Sequence, residues 1–126
     1  MTNKDHLFEQ LEGIVDIKPE KKGDVLILRF SGRLDAISTP DAEKKVLEMI
    51  DKGSSNLLFD FSNIDYISSA GMRMLLAITK KIKTQPGRLA LFGVTTNVMD
   101  VFKMSGFDHV LDLHETEEEA LEKFKG

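Results

Sequence analysis

The chain has 126 residues, 41% hydrophobic and 30% charged, which is enough apolar material for one packed domain and too much for a disordered segment. Its net charge of −4, from 17 Lys and Arg against 21 Asp and Glu, argues against a nucleic-acid partner, which selects for a basic surplus. With no cysteine, disulfides, thiolate metal sites and a cysteine nucleophile are excluded.

Residues 1–12 read as a loosely held lead, in which Leu7, Phe8 and Leu11 are the side chains available for packing, and residues 13–126 as a single domain. The start of the chain has no apolar run after its charges, so no signal peptide is expected. No stretch reaches the ~18 apolar residues of a membrane span, so the expectation is a cytoplasmic domain without a membrane partner. Residues 14–17 form a short strand, 18–24 a turn broken by Pro19 and Gly23, and the apolar run 25–30 a second strand, giving a hairpin. Residues 31–36 continue it as a bent extension. Ser38-Thr39-Pro40-Asp41 opens a helix with a hydroxyl cap, an early proline and an acid. Ala42, Val46, Leu47 and Ile50 supply its buried stripe, and Gly53 ends it. Residues 57–61 form a central strand, and 62–67 connect it to a helix over 69–83 that Pro86-Gly87 stops. A strand at 88–93, a helix from Thr95 to Ser105-Gly106, a strand at 110–113 and a closing helix at 115–125 complete the chain. Alternation of this kind after a hairpin favours a mostly parallel sheet with helices packed on it.

Chemical signatures are sparse. His6, His109 and His114 form no i, i+4 pair, and nothing flanks His109, Asp112 and His114 to make them a metal site, so no metal is expected. The dinucleotide, phosphate-loop and serine-hydrolase glycine motifs are absent, and no cofactor is expected. Asp35, Asp60 and Asp65 lie near strand ends, where structural hydrogen bonding is their ordinary role. The segment 60–73 is different, because a strand leads through a loop into a helix that opens on two hydroxyls, Ser68 and Ser69. Free N–H groups at a helix start welcome negative charge, so a phosphate on Ser69 would be tolerated. A plain capping role for either serine is the alternative. Projected at 100° per residue, Met72, Leu75, Leu76, Thr79 and Ile82 share the core face of this helix. Ala70, Met74 and Ala77 fall opposite, beside Arg73, Lys80 and Lys81, as a strip that either receives a partner protein or packs against neighbouring helices.

This segment resembles the STAS domain family, specifically the stand-alone bacterial anti-sigma factor antagonists. The signature runs from Leu58-Phe59-Asp60-Phe61 through Ser68-Ser69-Ala70-Gly71 to Leu76. Ser31-Gly32-Arg33-Leu34-Asp35 is similar to the family's S-G-E-L-D, and Phe102-Lys103-Met104-Ser105-Gly106-Phe107 to its F-x-M-S-G-L. The resemblance implies an α/β fold, a small mixed sheet with helices packed chiefly on one face. It also implies partner switching, in which the unphosphorylated antagonist binds an anti-sigma factor that is a serine kinase of the GHKL type and frees the sigma factor. Phosphorylation then abolishes binding, and a PP2C-type phosphatase restores it. The implied phosphoacceptor is Ser69, with Ser68 as fallback; Asp35, Asp65 and Gly71 form its environment, and Ala70, Arg73, Met74 and Ala77 the docking face. Such a protein is not an enzyme. Two departures stand out: Ser68 replaces the family's commoner Asp, and Arg73 stands where many relatives carry Gly. The same scaffold also serves switches that control a phosphatase, a cyclase or secretion. From a different class, a small α/β enzyme or a small-molecule or nucleotide sensor would gather Asp35, Asp60 and Ser69 at a strand-end pocket.

Overall fold

Five strands lie side by side in chain order in the computed structural model, which describes residues 15–125. They are β1 (Val15–Lys22), β2 (Val25–Leu34), β3 (Asn56–Ile67), β4 (Arg88–Phe92) and β5 (Leu113–His114). The β1–β2 pair is antiparallel and the other three pairs are parallel. The parallel crossovers are α1 (Thr39–Asp51), α2 (Ser69–Ile82) and α3 (Thr96–Ser105), the last followed by a 3₁₀ turn at Phe107–His109; α4 (Glu117–Lys125) closes the described chain. The expected lead at residues 1–12, with His6, Leu7, Phe8 and Leu11, lies outside the described residues, as does Ile14.

Three elements differ from expectation. The hairpin turn is only Gly23-Asp24, with Lys22 opposite Val25, and Gly23 takes the positive φ of 63° that the first position of a tight type II′ turn demands. The strand runs through Pro19 because β1 is an edge strand, where a missing N–H need not cost a ladder bond. Residues 62–67 are not a connector but the continuation of β3. They pair with residues 31–34 through two irregularities in register, while β4 reaches only as far as Asp60. The ends of β2 and β3 therefore project past β4 as a tongue, with β1 alongside only as far as Val15 opposite Gly32 among the described residues. The last strand is two residues at 113–114 rather than four at 110–113, because the chain around Phe107–His109 coils before it reaches β4.

Alternation along β3 builds two cores. Leu57, Phe59 and Phe61 face α1, α2 and α3, where they join Leu28, Phe30, Val46, Leu75, Ile78 and Phe102. The Phe30 ring lies 4.9 Å from Phe59 and 5.2 Å from Phe61 in tilted and edge-on contacts. Leu58 faces the other way, with Val25, Ile27, Ala90 and Phe92, and among the described residues only α4 covers them, through Ala120, Leu121 and Phe124. Helices thus pack chiefly on one face, as the resemblance implied.

Charge fastens α4 to the thinner side. Arg29 donates to Asp60 at 3.1 Å, to Glu117 at 2.9 Å and to Glu20 at 3.0 Å. The buried Asp60 also receives the Ser62 N–H and hydroxyl, at 3.0 and 2.6 Å. Hydrogen bonds from Arg29 and then Lys22 hold the Glu117 carboxyl below the usual carboxylate range, against a smaller opposing effect of burial. A lowered folded-state value gives stability that is present above the unfolded value and is lost as pH falls through the folded one. Glu117→Gln should therefore lower stability by about 1 kcal/mol at neutral pH. Urea unfolding should show the gap between the two proteins closing below about pH 4; a gap that does not change with pH would contradict the ion-pair origin.

Candidate functional site

The tongue ends at Leu34 on β2 and Ile67 on β3, which are register partners. Ser68 follows in extended conformation as the N-cap of α2. Its N–H donates to the Leu34 carbonyl at 2.8 Å and its hydroxyl donates to the same oxygen at 3.0 Å. The same hydroxyl accepts the Gly71 N–H at 3.3 Å. Both hydrogen-bonding capacities of Ser68 are thus committed to holding the helix start on the end of β2. Ser69 is the first helical residue and is exposed. Among the described residues its hydroxyl has no hydrogen-bond partner.

Gly71 permits this closeness. A Cβ there would lie 2.6 Å from the Ile67 Cγ1 and 3.1 Å from the Leu34 oxygen. Its backbone needs no unusual φ, so the requirement is space alone. Asp35 organises the adjoining loop, its Oδ1 accepting the N–H groups of Ile37 at 3.0 Å and Ser38 at 2.9 Å. Ser38, expected as a capping hydroxyl for α1, instead donates its hydroxyl to the Arg33 carbonyl and accepts the Asp35 N–H. Arg33 stacks its guanidinium 4.3 Å from the Tyr66 ring centre. Ile37 and Tyr66 are the exposed large apolar side chains at this end, a pair that strand and loop assignment from sequence had not marked. Asp65 is exposed on β3.

Helix α2 sits rotated by roughly 70° from its projected orientation, at 100° per residue. Its buried stripe is Gly71, Met74, Leu75, Ile78 and Ile82, with Met72 at the margin. Met74, expected on the docking face, is fully buried in the main core and cannot meet a partner. The cause is Gly71, which lets its own side of the first turn press onto Leu34 and Ile67 and carries Met74 inward one turn later. Leu76 and Thr79, expected in the core, are only half-buried. The outward face holds Ser69, Arg73 and Lys80, flanked by half-buried Ala70, Leu76 and Ala77.

The strand-end pocket of Asp35, Asp60 and Ser69 does not form. Asp60 engages Arg29 on the α4 side of the sheet, whereas α2 packs on the other. The shallow clefts among the described residues lie elsewhere, for example one of about 230 Å³ between α2 and β4 lined by Thr79, Arg88 and Asp112. His114 lies 2.8 Å from Asp112, but among the described residues neither this pair nor His109 belongs to a group of three metal-ligating side chains. No helix among them is long and apolar enough to cross a membrane.

Comparison with known proteins bears on this geometry. The family model of the STAS domain matches residues 16–120. A Bordetella bronchiseptica protein, BtrV, whose name provisionally makes it an anti-sigma factor antagonist, is 30% identical over 106 residues, covering 84% of this chain and 91% of its own. The fold is similar to that of an anti-sigma factor antagonist from Mycobacterium paratuberculosis, with TM-score 0.81 and 20% identity over 89% of this chain and 95% of that one. It is also similar to the phosphorylated form of the Bacillus cell fate determinant SpoIIAA, with TM-score 0.67 and 22% identity over 86% and 99%. The names of the first two relatives make them antagonists of anti-sigma factors.

The two serines should separate in a stability measurement. Ser68→Ala should cost about 1 kcal/mol through the lost cap, and Gly71→Ala about 1–3 kcal/mol through crowding. Ser69→Ala should stay within about 0.5 kcal/mol of the parent, as an exposed side chain without a contact. Chemical denaturation of the three variants tests the order, and an equal loss at Ser68 and Ser69 would refute the division of roles.

Proposed function

The chain belongs to the STAS domain family, and on that premise we propose that it is an anti-sigma factor antagonist whose phosphoacceptor is Ser69. Its unphosphorylated form binds an anti-sigma factor that is also a GHKL-type serine kinase, and the sigma factor is released. The kinase phosphorylates Ser69, the complex dissociates, and a PP2C-type phosphatase regenerates the binding form. The chain itself is a binding partner and kinase substrate rather than a catalyst, and acts in the bacterial cytoplasm without cofactor or nucleic acid.

The observation that carries this reading is the contrast between adjacent hydroxyls. Ser69 is exposed at the first position of α2, while Ser68 is held by Leu34 and Gly71. A kinase can extract the Ser69 hydroxyl without breaking any of these contacts, whereas modifying Ser68 would strip the helix cap. Phosphate adds about −1.5 to −2 charge at neutral pH. At a helix start that charge is stabilised by the dipole and by free N–H groups, so the domain keeps its fold. In a docking surface the same charge must shed water without a matched cation on the partner, and a loss of about 4 kcal/mol weakens binding roughly a thousandfold. Asp35 supports the reading by fixing the loop beside the acceptor, and Ala70, Arg73 and Ala77 by forming the outward face behind it.

Affinity capture from the source lysate tests the proposal. The Ser69→Ala chain should retain a GHKL-type kinase and the Ser69→Glu chain should not. Retention of the same kinase by both, or its phosphorylation of the Ser69→Ala chain at another residue, would overturn Ser69 as the switch. Far-UV circular dichroism of the chain phosphorylated at Ser69 should match that of the unmodified chain, and a loss of helical signal would replace the surface switch with an unfolding one.

A further inference from the structure

Helix α2 carries no acidic residue, and its only charges are Arg73, Lys80 and Lys81. Lys81 lies 3.6 Å from Asp51. Among the described residues Arg73 has no ion-pair partner, and it is exposed on the outward face four residues after Ser69. Residues at this spacing are neighbours on a helix surface, and an anion placed N-terminal to a cation is the favourable order. A guanidinium offers parallel N–H donors that match two phosphate oxygens. The N–H groups of Ser69 and Ala70 precede the first helical bond, from the Met72 N–H to the Ser68 carbonyl. The Gly71 N–H is already taken by Ser68.

Resting on the reading of Ser69 as acceptor, we propose that Arg73 is the internal partner of the phosphoserine, a positioning residue that lays the phosphate along α2. Phosphorylation then changes the docking face twice. It adds an anion at the helix start and withdraws the Arg73 cation from the surface offered to the anti-sigma factor. Other charged side chains at this end already have partners or carry the same sign as the phosphate. Arg33 is stacked on Tyr66 and lies 3.9 Å from Asp35, Asp35 is committed to backbone N–H groups, and Asp65 is an anion.

The test uses the full chain with phosphoserine incorporated at position 69 and needs no kinase. Phosphorus NMR follows the second ionisation of the phosphate, ordinarily near pH 6, at low salt. Arg73→Gln should raise that titration midpoint by about 0.5 unit over the parent, and Arg73→Lys should recover part of the difference. In concentrated urea, where no helix holds the pair, the parent and Arg73→Gln should titrate alike. Equal midpoints in the folded proteins, or a difference that persists in urea, overturn the pairing. Neither result touches the switch reading, whose own failure shows in the capture experiment.

Discussion

Two protons from one residue converge on a single carbonyl oxygen at the end of β2. Ser68 gives both its N–H and its hydroxyl to Leu34, and this joins the start of α2 to the strand that precedes α1. A helix start usually leaves N–H groups searching for acceptors, and a strand end leaves a carbonyl searching for donors. Here each answers the other through one side chain. The junction is tight enough that only glycine fits at position 71. From these contacts follow the rotation of α2, the burial of Met74 and the outward aim of Ser69.

The tongue that carries this junction is unsupported on the β4 side, so its rigidity comes from elsewhere. Ile64 and Ile67 are buried in the main core, and the Thr95 hydroxyl at the start of α3 donates to the Ile64 carbonyl at 2.8 Å. Across the sheet, Arg29 and Asp60 face each other in register just before the strands become irregular. Ser62 closes onto the same carboxylate two residues later. The charge cluster that fastens α4 thus also fixes the root of the tongue. A part-buried ion pair of this sort gains little net energy over apolar packing, but losing Arg29 is costly because the buried Asp60 is left without its cation. That asymmetry favours one register over a slipped one.

Much of this was legible in the residues. The order of elements, an opening hairpin leading into a mostly parallel sheet and the helix beginning at Ser69 follow from apolar runs, breakers and caps, and the small mixed sheet from the resemblance. What was not legible depended on contacts between distant parts of the chain. The continuation of β3 was hidden because residues 62–67 show no clean alternation. Their register irregularities put Ile64 and Ile67, three apart, on the buried side. The orientation of α2 was hidden because both candidate faces are apolar, and the deciding feature was the space beside Gly71 rather than any hydrophobic pattern. Asp35 and Gly71 were found through the resemblance, yet their local roles, binding loop N–H groups and granting close approach, come from geometry alone. Ile37 and Tyr66 gave no signal, since a single apolar residue in a loop or at a strand end is ordinary in any sequence.

The replacement of the family's commoner Asp by Ser68 has a physical consequence. Asp and Ser cap helices about equally well, so α2 starts properly with either. An ionised carboxylate has no proton to give, however, and cannot donate to the Leu34 carbonyl as the Ser68 hydroxyl does. Serine therefore adds a strand contact to the cap and removes a negative charge beside the proposed acceptor. With either residue the cap at position 68 stays separate from the proposed acceptor at 69, two duties that one residue would perform badly. If the capping hydroxyl were also the acceptor, each phosphorylation would remove the cap and tie signalling to stability. With the cap on Ser68 and the exposed hydroxyl on Ser69, phosphorylation at Ser69 as proposed would change the charge of the surface while the junction beneath it stays closed.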